Sequence, residues 1–238
     1  MLLLLSLESA YQLELYSPVV ALSSFALLPI LGIYLILSDA KFWPLSQEHD
    51  TYKTLGVIGI GVGLMFWQLL AIQSSAALSS LIYIPLLNPL ELMQVGAVVT
   101  LLLWMQRTNV EKRVKMGFAA FWTMVFATLF LARSVHYYGD VMYRLDSLGS
   151  SNLFQTSLSI MYTLMALAVI IYAKKKASRV IWISGGALLG FVIVKLLLVD
   201  MSRSGSLERI ISFLVVGVLI LLVGFIAPLP PKKEEKTV

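Results

Sequence analysis

Residues 18–37 read PVVALSSFALLPILGIYLIL, twenty consecutive positions without a charged side chain. A helix of that length covers ~30 Å at 1.5 Å per residue, the thickness of a bilayer's hydrocarbon layer. Ser17-Pro18 marks its start, a capping hydroxyl before a proline whose missing N–H costs nothing at the first helical position. Helix is the conformation required here. An open strand would leave peptide groups unpaired in lipid, and nothing in the chain alternates with the period of a barrel. Pro29, inside the stretch, predicts a kink of the kind membrane helices tolerate.

Six further stretches have similar length and character: 54–72, 89–105, 114–132, 153–173, 180–199 and 207–227. The composition agrees, being 59% apolar and 13% charged where soluble domains run at about 45–50% and about 25%. Mean hydropathy is +0.87. The fold class expected is therefore all-α: a polytopic bundle of about seven transmembrane helices over residues 17–228. Residues 1–16 form a lead-in too short and too acidic (Glu8, Glu14) to span, and residues 229–238 form a disordered tail. Residues 74–87, bounded by serines and prolines, are expected to form a surface loop or to fold back on the bundle. Asn88-Pro89-Leu90-Glu91 repeats the capping device, with Glu91 at the capping-box position. Ser206 and Glu208 cap the seventh helix.

The basic residues orient the bundle. Thirteen of the 18 Lys and Arg fall on one side: Lys41 and Lys53, Arg107 to Lys115, Lys174 to Arg179, and Lys232 to Lys236. The positive-inside rule makes that side cytoplasmic, with the N-terminus out and the C-terminus in. The net charge of +5 is thus topological and gives no reason to expect a nucleic-acid partner. With no cysteine, a disulfide scaffold and a zinc–thiolate site are both excluded. An N-out start without a signal sequence fits a chain whose Met1 follows an earlier helix of a longer protein.

Ile84-Pro-Leu-Leu-Asn-Pro-Leu-Glu-Leu92, Lys195-Leu-Leu-Leu-Val-Asp200 and Arg209-Ile-Ile-Ser-Phe213 occur in one order, followed by Gly217, Gly224 and Ala227-Pro-Leu-Pro-Pro231. In these motifs the chain resembles a family of bacterial polytopic membrane proteins, domain of unknown function 2339, over about residues 80–231 and most strongly from Arg179 onward. The resemblance implies a multi-pass protein of the bacterial inner membrane. Members are usually longer, and this chain looks like their C-terminal part. It implies no activity and no catalytic residues.

Gly56-Val-Ile-Gly-Ile-Gly-Val-Gly63 lacks the spacing of a nucleotide loop and has no strand before it. Gly59 and Gly63, like Gly186 and Gly190, form GxxxG pairs that let helix backbones approach. Trp43, Trp104 and Trp182 fall at membrane–water boundaries as anchors, whereas Trp67 and Trp122 lie deeper, as packing. The cytoplasmic basic runs serve as topological anchors, with anionic headgroups as alternative partners.

The ionisable residues expected on the outer side are more informative. Arg133, His136, Asp140 and Arg144 make one stripe if their helix continues past the membrane. Asn88 and Glu91 open the third helix, Lys195 lies near the end of the sixth, and Asp200, Glu208 and Arg209 sit around the next turn. Asp200 is five residues beyond Lys195, about 140° round an ideal helix, so Lys195 is expected to take a partner from another helix, with Glu91 favoured over Glu208. No cofactor is implied. His136 and Asp140 lack the further ligands of a metal site, and no nucleophile, paired-carboxylate motif or phosphate loop stands out.

Three functional classes follow. The first is a non-enzymatic scaffold or accessory module whose outer charges hold helices or a partner. Its partners would be the bilayer and upstream helices or another subunit. The second is a transporter or lipid-handling protein binding an anionic substrate at those charges. The third is an envelope enzyme using His136 on a lipid- or glycan-linked substrate.

Overall fold

The computed structural model describes residues 1–14, 18–38, 49–77 and 83–200, together with the single positions 214, 217, 218 and 221. Among these there is no strand. The chain is an all-α, multi-pass membrane protein. The helices are α1 (Leu2–Glu14), α2 (Pro18–Leu37), the single turn α3 (His49–Thr51), α4 (Val57–Gln73), α5 (Pro89–Arg107), α6 (Lys112–Tyr138), the short α7 (Leu145–Ser150), α8 (Asn152–Lys175) and α9 (Arg179–Lys195). A π-helical turn, Tyr52–Gly56, leads into α4, and another, Leu196–Asp200, follows α9. Six helical stretches among the described residues are long and apolar enough to cross a membrane. They are the first six expected; the seventh, 207–227, lies outside the described residues, as does the cap expected of Ser17.

Helix α2 runs from Pro18 to Leu37 with Pro29 inside it. The lead-in is itself helical: α1 packs along α2 and also reaches α4, with Leu3 close enough to Gly63 that a Cβ there would meet its Cδ2 at 3.1 Å. Of the expected glycine contacts, Gly63 is therefore used. A Cβ at Gly59, Gly186 or Gly190 would meet nothing within 4 Å among the described residues. Gly61 and Gly185 take the close approaches instead, Gly185 against the Ala166 carbonyl at 3.2 Å. One residue turns a helix face by about 100°, so spacing alone does not choose which glycine faces a neighbour.

The chain divides into two compact units, residues 1–143 and 144–238. In the first, Ala26, Ile33, Val57, Leu64, Trp67, Leu90 and Leu101 form a core of α2, α4 and α5. A second cluster joins Val98 to Trp122, Phe126 and Leu129 of α6. Trp67 is buried, as expected of a packing residue, and its indole N–H donates to the Leu22 carbonyl at 2.8 Å. At the other end of the helices, Trp104 donates to the Lys53 carbonyl at 2.7 Å, and Arg107 donates to the Leu37 carbonyl. In the second unit, α8 and α9 form an antiparallel pair with Ala166, Ile170, Leu189 and Val192 buried.

Candidate functional site

Helix α4 ends at Gln73, where the Ser74 N–H returns to the Ala71 carbonyl at 3.3 Å and the last carbonyls stay open to a further donor. Arg133, projecting from α6, supplies one. Its Nη2 donates to the carbonyls of Ala71 (3.0 Å) and Ser74 (3.2 Å), and its Nε donates to Ser74 (3.3 Å). Its Nη1 donates to Gln94 Oε1 (2.9 Å) and Glu91 Oε1 (3.3 Å) on α5. Tyr143 adds a hydroxyl on the Ile72 carbonyl at 2.9 Å. A cation thus sits at the negative end of the α4 dipole, and its carboxylate partner sits in the first turn of α5, at that helix's positive end. Arg133 and Glu91 are both 0% exposed, which matters because a buried ion pair is tolerable only when its remaining polar valences are met.

They are met. The Glu91 carboxylate also accepts from the Tyr83 hydroxyl (2.6 Å) and the Leu86 backbone N–H (2.7 Å). This departs from the expected capping box, in which Glu91 would bond the backbone at Asn88. Asn88 caps α5 as its sequence suggests, accepting from Leu90 N–H at 3.0 Å, and its amide donates to the Ala76 carbonyl at 2.9 Å. Ala76 and Leu86 both adopt left-handed backbone (φ 62° and 69°), which costs a residue with a Cβ about 1–2 kcal/mol. Each is held by a buried side chain at the start of α5. In the described parts of the segment after α4, Ala76 and Tyr83 are both buried.

Aromatic rings close the site. Tyr83 stacks on Tyr137 with centroids 4.4 Å apart and planes at 13°. Tyr138 donates its hydroxyl to the Tyr83 carbonyl. Burial, then the hydrogen bond to Glu91 and that carboxylate's charge, push the Tyr83 phenol well above its ordinary pKa. Burial also raises the Tyr143 phenol. Arg133, Gln94, Gln68 and Tyr83 make one hydrogen-bonded group, Gln68 donating to the Gln94 carbonyl at 2.8 Å.

Of the residues expected to cluster, the structure joins Asn88, Glu91 and Arg133. The stripe from Arg133 to Arg144 does not form, because α6 stops at Tyr138 and Gly139 takes the C-cap, its N–H bonding to Val135. Asp140 follows with φ 52° and is exposed. His136 stays on the helix, and its Nδ1 donates to the Val141 carbonyl at 2.7 Å, a bond that also fixes the tautomer. Arg144 is exposed beside Asp146 at 3.8 Å. Glu91 is engaged by Arg133. Lys195 does reach another helix, donating to Ser159 Oγ (2.8 Å) and the Gln155 carbonyl (3.1 Å) of α8. The Asp200 side chain, Glu208 and Arg209 lie outside the described residues. Sequence reasoning missed Gln68, Gln94, Tyr83, Gln155 and Ser159. Their signal was available: an uncharged amide within an apolar span must find a partner there. Among the described residues, no three His, Asp or Glu side chains gather as a metal site.

No curated protein and no solved structure matches the chain. A family model described as predicted membrane protein, DUF2339, matches residues 1–230, nearly the whole chain and more of it than the motifs from Ile84 onward. With its buried polar network set among apolar helices of spanning length, the chain belongs to this DUF2339 family of membrane proteins.

Proposed function

We propose that this chain is a non-enzymatic membrane module, a scaffold or accessory subunit of the bacterial inner membrane, in which the buried charges lock helices together. The observation that carries this reading is the saturation of Arg133: Nε and both terminal nitrogens donate to protein acceptors, and both Glu91 oxygens are occupied. A guanidinium so engaged offers an anionic substrate no donor without first breaking the helix contacts it makes. His136 points the same way, since its Nδ1 is spent on a backbone carbonyl. For a partner, another subunit or further helices of a longer protein fit the exposed apolar face of α1, where Leu4, Leu7 and Tyr11 border a groove of about 700 Å³.

Thermal unfolding of the purified protein in detergent, with and without inorganic phosphate or citrate, tests the lock against an anion site. The lock predicts no stabilisation by either anion. A concentration-dependent rise in Tm that disappears in Arg133→Gln would overturn it in favour of a transporter-like pocket. Photo-crosslinking from position 11 in native membranes tests the scaffold: one defined polypeptide adduct is expected, and adducts to lipid alone would count against a partner.

A further inference from the structure

We infer that Gln68 of α4 and Gln94 of α5 hold an ordered water molecule between them, deeper in the bundle than the Arg133–Glu91 pair. The two side chains are already neighbours. Gln68 Nε2 donates to the Gln94 backbone carbonyl at 2.8 Å, and Gln94 Oε1 accepts from Arg133 Nη1 at 2.9 Å. Each carboxamide has a second polar atom. Those atoms, Gln68 Oε1 and Gln94 Nε2, are buried with no hydrogen-bond partner among the described residues.

Turning the amides over does not remove the problem. Exchanging the oxygen and nitrogen of Gln94 would set its NH2 against the guanidinium, donor facing donor. Exchanging those of Gln68 would set its oxygen against the Gln94 carbonyl, acceptor facing acceptor. The bonds already made therefore fix which atom of each amide is left over. One is an acceptor and the other a donor. A buried atom of either kind carries the full cost of its lost hydration. In an apolar span lipid offers no partner, and ordered water is one of the groups that restore the bond.

This pair of atoms selects its ligand, which must donate to Gln68 Oε1 and accept from Gln94 Nε2. A halide cannot donate and a metal ion cannot accept; water is the smallest molecule that does both. Two polar partners are enough to hold a buried water. Size points the same way. Gln68 and Gln94 are both 0% exposed, so a larger ligand would have to part α4 from α5. Gln68 lies five residues before the end of α4 and Gln94 five residues after Pro89, roughly 7–8 Å along each helix. Arg133 makes its bonds to Ala71, Ser74 and Glu91 nearer those helix ends. Arg133 ties α6 to α4 and to α5, and the water with Gln68 closes the third side, α4 to α5. The site needs only the two amides, so it stands or falls separately from the scaffold reading.

The test uses the full chain in lipid nanodiscs, with glutamine labelled with heavy nitrogen at the side-chain amide. Solid-state NMR then measures magnetisation passed from water protons to each amide. The Gln94 signal is the one that Gln94→Met removes. In the unaltered chain, Gln94 Nε2 is expected to receive water magnetisation at short mixing times although it is buried. Gln68→Met keeps the length of the side chain and removes the Oε1 anchor. It should abolish the transfer at Gln94, while the exposed Gln73 keeps its own. Undiminished transfer at Gln94 in a folded Gln68→Met would overturn the proposal. That variant also loses the bond to the Gln94 carbonyl and can fail to fold, so the unaltered chain is decisive by itself. Absence of short-time transfer from water to its Gln94 would overturn the site. So would transfer from lipid protons in place of water, which marks an acyl chain against the amide. So would transfer confined to the long mixing times of chemical exchange, which marks opening to bulk solvent.

Discussion

Replacing Arg133 by Met keeps most of the side chain's length and removes its charge. The Ser74 carbonyl and Gln94 Oε1 then lose their donor, the Ala71 carbonyl keeps only the Ser74 N–H at 3.3 Å, and Glu91 keeps a buried carboxylate with only Tyr83 and Leu86 to solvate it. Breaking one member of a buried pair costs about 3–5 kcal/mol. With both partners 0% exposed, the full range applies. Glu91→Gln should cost about as much, because it leaves the guanidinium facing neutral acceptors alone. The double variant Glu91→Gln/Arg133→Met strands no charge and should cost less than the sum, with a coupling of about 2–3 kcal/mol. Reversible unfolding in mixed micelles, followed by the fluorescence of the buried Trp67 and Trp122, gives all four corners of the cycle. Arg113→Met is the control; its pair is exposed and should shift stability by no more than ~0.5 kcal/mol. A folded Arg133→Met within ~1 kcal/mol of the parent, or strictly additive single costs, would refute the lock.

Tyr83, with its phenol pKa raised, should stay protonated through the ordinary tyrosine range in an alkaline absorbance titration. Since the folded value exceeds the unfolded one, its contribution is complete below about pH 10 and declines as pH rises toward the folded value; Tyr83→Phe should flatten that part of the stability–pH curve. Asn88→Ala removes both the α5 cap and the clamp on left-handed Ala76, so a loss of about 1–2 kcal/mol is expected; a loss under ~0.3 kcal/mol would mean the turn holds itself. Ser159→Ala takes one acceptor from Lys195 while the Gln155 carbonyl remains, so unfolding should show a cost of only about 1 kcal/mol, well below Arg133→Met. For orientation, a cysteine at position 147 should label from outside intact cells and one at 175 should not; the reverse pattern would invert the topology.

The sequence by itself determined the solvent and the secondary structure. An apolar run such as 18–37 can meet its backbone valences in lipid only as a helix, so the first six expected spans recur as helices, although α6 runs on to Tyr138. Asn88-Pro89 was equally legible because capping is a local interaction. The partners of the charges were not legible. Arg133, Glu91 and Lys195 were conspicuous as ions near span ends, but which ions meet depends on the rotation of each helix about its axis and on where each helix stops. Gly139 ended α6 one turn too early for the stripe through Asp140 and Arg144, and Tyr83 and Leu86 brought a hydroxyl and a backbone N–H to Glu91. Spacing along one helix fixes which residues share a face. Only the packing of α4, α5 and α6 decided that Arg133 would cap one helix and pair with the next.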